Sequence, residues 1–97
     1  MTQAELLSKV KKALGIEGDY QDDTLQIYID DAKAFMKDAG VLSVVIDNAV
    51  SVGCIVRGVA DLWNYGSGSV GLSDYFKQRV IQLSMLKADD LPTETEV

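Results

Sequence analysis

A chain of 97 residues is one domain's length, and burying about two-thirds of its unfolded surface gives it one core and no second. A composition 47% hydrophobic and 25% charged is globular, not disordered. Fifteen acids against nine bases give a net charge of −6, which disfavours a surface built to hold nucleic acid phosphates, and the lack of histidine removes His-based metal sites, Ser-His and Cys-His nucleophile pairs and imidazole switches.

The single cysteine, Cys54, cannot make a disulfide framework or a zinc site, so the chain suits a reducing compartment or is indifferent to redox. Set among Val52, Gly53, Ile55 and Val56, it is expected to be a buried, inert thiol. The opening residues, Met1 to Glu5, lack the basic start and apolar run of a signal peptide. The most apolar stretch, Val41 to Trp63, contains Asp47, Arg57 and Asp61, and reads as a buried helix, not a membrane span.

The first predicted helix runs from Thr2 to Leu14. Thr2 and Glu5 have capping-box spacing, Leu6, Leu7, Val10, Ala13 and Leu14 recur at helical spacing, and Gly15 is a natural stop. The stretch Ile16 to Asp23 is an acidic loop. Its Glu17, Asp19, Asp22 and Asp23 lack the spacing of a Ca²⁺ loop, so a solvated turn ending in an Asp cap is expected. The second helix spans Asp23 to Ala39, with a stripe of Leu25, Ile29, Ala32, Phe35, Met36 and Ala39 flanked by Tyr28, and Gly40 closes it.

The third segment, about Ser43 to Tyr65, is β-branched enough for two strands joined at Asp47-Asn48. The series Val45, Ala49, Val52, Val56, Val59, Ala60 and Trp63 favours a helix instead, opposite a small or polar face of Asp47, Ser51, Cys54, Gly58 and Asp61. Sequence alone leaves open whether Val41 to Val56 is helical throughout. Gly53 and Gly58 each cost such a helix about 1 kcal/mol against Ala, a cost that a close helix contact or a kink would explain. Arg57 and Asp61 are i, i+4 partners.

Gly66 to Gly71 is a Gly/Ser-rich loop, expected to be deformable. The last helix, Ser73 to Leu86, has Ser73 as its cap and Leu72, Phe76, Val80 and Leu83 along one face. Tyr75, Ile81 and Met85 present further apolar surface in other directions. The tail from Lys87 to Val97 has four acids against Lys87, a net −3, and Pro92. It is expected to be flexible, leaving residues 1–86 as the helical domain and 87–97 as an acidic tail.

No constellation for chemistry stands out. The pairs Asp22-Asp23, Asp30-Asp31 and Asp89-Asp90 are adjacent in sequence, so on a helix they diverge by about 100°. The glycine loop follows a helix and lacks the Gly-Lys-Ser/Thr of a phosphate cradle. Acyl carrier proteins are also small, acidic and four-helical, but their Asp-Ser-Leu is absent, and Leu72-Ser73-Asp74 has the wrong order. The expectation is an all-α bundle of about four helices that is not an enzyme and carries no catalytic, cofactor or metal residues. Helix surface in excess of what a small core can absorb points to oligomerisation.

The order of motifs over about residues 4 to 86 resembles the phage head–tail connector family, the head-completion adaptors often described as DNA-packaging proteins. The matching features are Leu14-Gly15-Ile16, Asp22-Asp23 leading into Leu25-Gln26-Ile27-Tyr28-Ile29, and a central apolar helix ending Ala60-Asp61-Leu62-Trp63-Asn64-Tyr65. A variable loop follows, then Leu72-Ser73-Asp74-Tyr75-Phe76 and Ile81-Gln82-Leu83. Two departures are the lack of Arg after Trp63-Asn64-Tyr65 and Ser84 in place of Arg after Gln82-Leu83.

The resemblance implies a homo-oligomeric ring of about twelve subunits at the head–tail junction of the virion, made in the bacterial host cytoplasm. Such a ring would sit under the portal protein, extend the DNA channel, and dock the next head-completion or tail protein. DNA would pass without sequence-specific binding, past a wall whose acidity does not retain phosphates, and no membrane is involved. Trp63, Tyr65, Tyr75 and Phe76 flank the loop and are the leading interface candidates. Gly66, Gly68, Val70 and Gly71 of the loop join them, with Arg57 and Asp61 as weaker ones because they also pair with each other. The loop and tail are expected to become ordered against neighbouring subunits or the portal. The alternative is a small acidic helical module with a regulatory or peptide-binding groove.

Overall fold

The structure, a computed structural model, describes residues 2–65 and 72–91. They form α1 (Gln3–Leu14), α2 (Asp22–Asp38), a short α3 (Ser43–Ile46), α4 (Val52–Tyr65) and α5 (Asp74–Ser84), with 3₁₀ turns at Ala49–Ser51 and Ala88–Asp90. Among the described residues there is no strand, and no helix is long and apolar enough to cross a membrane. The fold is a small all-α bundle.

The helix ends follow local chemistry. In α1 the Glu5 amide donates to Thr2 Oγ1 at 3.1 Å, and the Thr2 amide donates back to Glu5 Oε1 at 3.2 Å, completing the capping box. Hydrogen bonding from Thr2, by its side chain and then its backbone, holds the Glu5 carboxyl below its ordinary pKa. Gly15 closes α1 at φ 70°, and the Ile16 amide reaches back to the Lys11 carbonyl. Gly40 closes α2 at φ 100° in the same way, with the Val41 amide on the Met36 carbonyl. Both are Schellman stops, and glycine takes the left-handed turn without strain. The start of α2 departs from expectation: Gln21 precedes it with no side-chain cap, and Asp22 and Asp23 both sit in its first turn. There they complement the helix dipole. Asp22 is also held by Lys11 at 2.8 Å, which ties the start of α2 to the end of α1.

The third segment is not one helix. Asn48 is extended, and its side chain accepts the Val50 amide at 2.9 Å. Ser51 Oγ donates to the Val45 carbonyl at 2.7 Å. These local bonds compete with the helical ladder and break it. Asp47-Asn48 therefore does turn the chain, but between helical pieces and not between strands.

The break also resets which face is buried. The expected small or polar face points inward in α4: Ser51, Cys54, Gly58 and Asp61 are buried beside Ile55 and Val59, whereas Val52, Val56, Ala60 and Trp63 are half-buried. Asp47 alone of that set is exposed.

Helix α4 is the centre of the bundle. It packs most extensively on α2, with α1 and α5 also against it. Leu6 and Val10 of α1 and Leu25, Ile29, Ala32 and Met36 of α2 meet Ile55 and Val59 in the core. Val41, Val45 and Ile46 close it at one corner, and Phe76, Val80 and Leu83 supply the face of α5. Leu86 and Leu91 pack against this core from the stretch after α5.

The close contact sits at Gly58. A Cβ there would lie 2.6 Å from Phe76 Cε1 and 3.1 Å from Ala32 Cβ, with the Phe76 ring buried and packed against Phe35 at 5.5 Å, the two rings tilted by 54°. Gly53 has nothing within 4 Å of the same position. Gly58→Ala is expected to cost about 1–3 kcal/mol by overpacking. Gly53→Ala is expected to stabilise by about 0.5–1 kcal/mol through helix propensity. Urea unfolding midpoints check both, and equal shifts for the two would refute the close contact.

Candidate interaction surface

The described interface candidates converge where α4 meets α5. Asp61, near the end of α4, is buried. Its Oδ2 accepts two hydrogen bonds from Ser73, from the amide at 3.0 Å and from Oγ at 2.7 Å. Ser73 Oγ in turn accepts the Phe76 amide at 3.2 Å and so caps α5. One carboxylate thus fixes the residue that starts the last helix, twelve positions away along the chain. On its other oxygen Asp61 faces Arg57 Nε at 3.5 Å. The half-exposed Arg57 guanidinium also lies 5.6 Å from the centre of the Tyr75 ring, within cation–π range.

The other candidates divide. Trp63 is half-buried and meets Tyr28 of α2 edge-to-face at 6.3 Å, so part of its surface is already used inside the protomer. Phe76 is fully buried and offers no surface; its wedge position against Gly58 explains why. Tyr65 ends α4. Gly66, Gly68, Val70 and Gly71, like the tail from Pro92 to Val97, lie outside the described residues.

Tyr75 is the candidate that is plainly exposed, at 67%, and it does not stand alone. Ile81 at 56% and Met85, the C-cap of α5, at 72% lie opposite Phe76, Val80 and Leu83, about 80–120° round the helix from Tyr75, with the exposed Gln78 and Gln82 between. Gln78, Arg79 and Gln82 line a shallow open depression beside Tyr75. Helix α5 thus carries exposed apolar side chains on its outer side, among Asp74, Gln78 and Gln82, in addition to its buried core face. Sequence reasoning placed Ile81 and Met85 on extra apolar surface but not among the interface candidates, and it missed Ile27, 59% exposed on α2. The available signal was phase. Ile27 falls outside the Leu25, Ile29, Ala32 and Met36 stripe, between aspartates.

Burial pushes the Cys54 thiol up to about 11, against a weaker downward pull from the positive charge of Arg79. Among the described residues no three metal-ligating side chains come together.

Asp61→Ala strands two Ser73 donors and is expected to cost about 2–3 kcal/mol. Arg57→Ala removes a half-exposed partner and is expected to cost less than about 1 kcal/mol. Chemical denaturation of both variants checks this ordering, and a reversed order would refute the Ser73 latch. Cys54, buried and protonated at neutral pH, is expected to react with a thiol reagent only on unfolding. Labelling with and without denaturant reads this directly, and rapid modification of the native chain would contradict it.

No curated protein and no solved structure matches the chain. A family model for phage gp6-like head-tail connector proteins matches residues 4–87, from α1 through α5. The chain belongs to the phage gp6-like head-tail connector family.

Proposed function

We propose that this chain is a structural subunit that assembles as a ring beneath the portal, extends the DNA channel, and offers a docking face to the next head-completion or tail protein. Its place is the head–tail junction of the virion, in about as many copies as the portal has subunits. Membership of the connector family over residues 4–87 carries this reading. The family's role is structural, which accords with a surface that presents apolar side chains. The uncovered face of α5 is the kind of surface that assembly covers.

The net charge of −6 suits a channel wall. Phosphates bind to clustered Lys and Arg, and a wall of that kind would retain DNA in transit, whereas an acidic wall repels it. The loop of Gly66 to Gly71 and the acidic tail would take a fixed conformation against neighbouring subunits or the portal, losing their conformational freedom at assembly.

Complementation tests the role. DNA-filled heads from the parent phage made without this chain are expected to regain tail joining when the purified protein is added. Heads that stay tailless in the presence of folded protein would refute the connector role. Electron microscopy of the completed particles would show the ring, and a lumen lined by Lys and Arg would refute the repulsive wall.

A further inference from the structure

We infer that the outer face of α5 in one copy docks against the aspartate-rich outer ridge of α2 in the next copy, so that the protein joins to itself head to tail. The inference rests on the ring reading above and names the surfaces that make the ring. On the outer side of α5 and its C-cap the exposed apolar side chains are Tyr75, Ile81 and Met85, interspersed with Gln78, Gln82 and the acid Asp74, and at about 100° per residue Lys77 falls on one flank of this side and Arg79 on the other. Arg57 adds a third positive charge over Tyr75.

The side of α2 turned away from Leu25, Ile29, Ala32 and Met36 carries Ile27 and Ala34, both exposed. Around them stand Asp23, Asp30, Asp31 and Asp38, all exposed. Lys33 and Lys37 line the depression between α2 and α3 together with Asp30 and Ala34, so two cations border the ridge on that side. The two faces are complementary. Each exposes apolar side chains among polar ones; the α5 side has cations on both flanks and a single acid, Asp74, within it, and the α2 ridge is bordered by carboxylates.

Complementary charge steers encounter and fixes register, and like charges would meet if either face paired with itself. Two different surfaces on one chain make a heterologous contact, the kind that generates rings. The contact is also small. Helix α5 has 11 residues and is about 16 Å long, so its outer face falls well below the roughly 800 Å² per partner of a stable pair. One joint alone is weak, and joints that close a ring reinforce one another.

Disulfide trapping of the full chain tests this, with buried Cys54 left in place and the unmodified chain as control. A chain carrying both Ile27→Cys and Ile81→Cys is expected to give a ladder of trimers and larger species on oxidation at high concentration. Mixed single variants should give dimers only, and each alone should give none. Lys77→Glu with Arg79→Glu should cut the ladder roughly tenfold, and adding Asp23→Lys and Asp31→Lys to that chain should restore it. No ladder from the double-cysteine chain, or dimers from Ile81→Cys alone, would overturn the proposal. Head complementation by the unmodified chain separates the two failures. Tail joining with no ladder removes this interface and leaves the connector role, whereas failure to restore tails removes the role itself.

Discussion

The bundle depends on how closely two helices and a ring can approach at one point. Gly58 lets the Phe76 ring lie against the α4 backbone while Ala32 of α2 closes on the same spot. A side chain at position 58 would push α2, α5 or both away. Much follows from that seat. With Phe76 wedged inward, Val80 and Leu83 follow it into the core on the same side of α5. Tyr75, Ile81 and Met85 must then face outward. The exposed apolar face of α5 is therefore a consequence of the core, and no choice of rotamer removes it.

Asp61 works with the same seat. A buried carboxylate is costly unless its oxygens are satisfied, and here Ser73 supplies two donors while Arg57 supplies charge from the surface. Because Ser73 also caps α5, the latch sets where the last helix begins. The position of Phe76, three residues later, is thereby set independently of whatever conformation lies between Tyr65 and Leu72. A glycine-rich connection carries little positional information of its own, and the Asp61–Ser73 pair supplies what it lacks.

Much of this was legible in the sequence because it is local. The Thr2–Glu5 box, the glycine stops at Gly15 and Gly40, and the Ser73 cap each depend on residues within a turn of one another. The stripes of α1, α2 and α5 were legible for the same reason. The third segment was not. Its apolar series assumed a constant phase from Val45 to Trp63, and the Asn48 and Ser51 side-chain bonds reset that phase at Ala49. The small residues of α4 then became its buried face. Small size alone does not say whether a face meets solvent or another helix, and only the Phe76 contact decides it. Asp61 was paired with Arg57 on i, i+4 spacing, and that pair exists. Its stronger partner, Ser73, lies across a loop, where no periodicity reaches. Phe76 failed as an interface candidate for a related reason, since its neighbour Tyr75 looks equivalent in sequence and differs by 100° on the helix.

The charge pattern gains meaning from the same geometry. As a single number, −6 disfavours phosphate-binding surfaces and says little more. Its placement is more specific. Four exposed aspartates border Ile27 and Ala34 on the ridge of α2, whereas Lys77 and Arg79 flank the mixed outer side of α5. Neither patch can meet the other within one protomer, because α2 and α5 both turn their inner faces to α4. Surfaces opposite in the sign of their flanking charge suit the contact between copies proposed above. An assembly built that way needs each joint to be weak enough for subunits to remain apart in dilute solution. It also needs the joints numerous enough, once held in a circle, to persist. A helix face of three exposed apolar side chains with charged flanks meets both conditions, and a broader hydrophobic interface would fail the first.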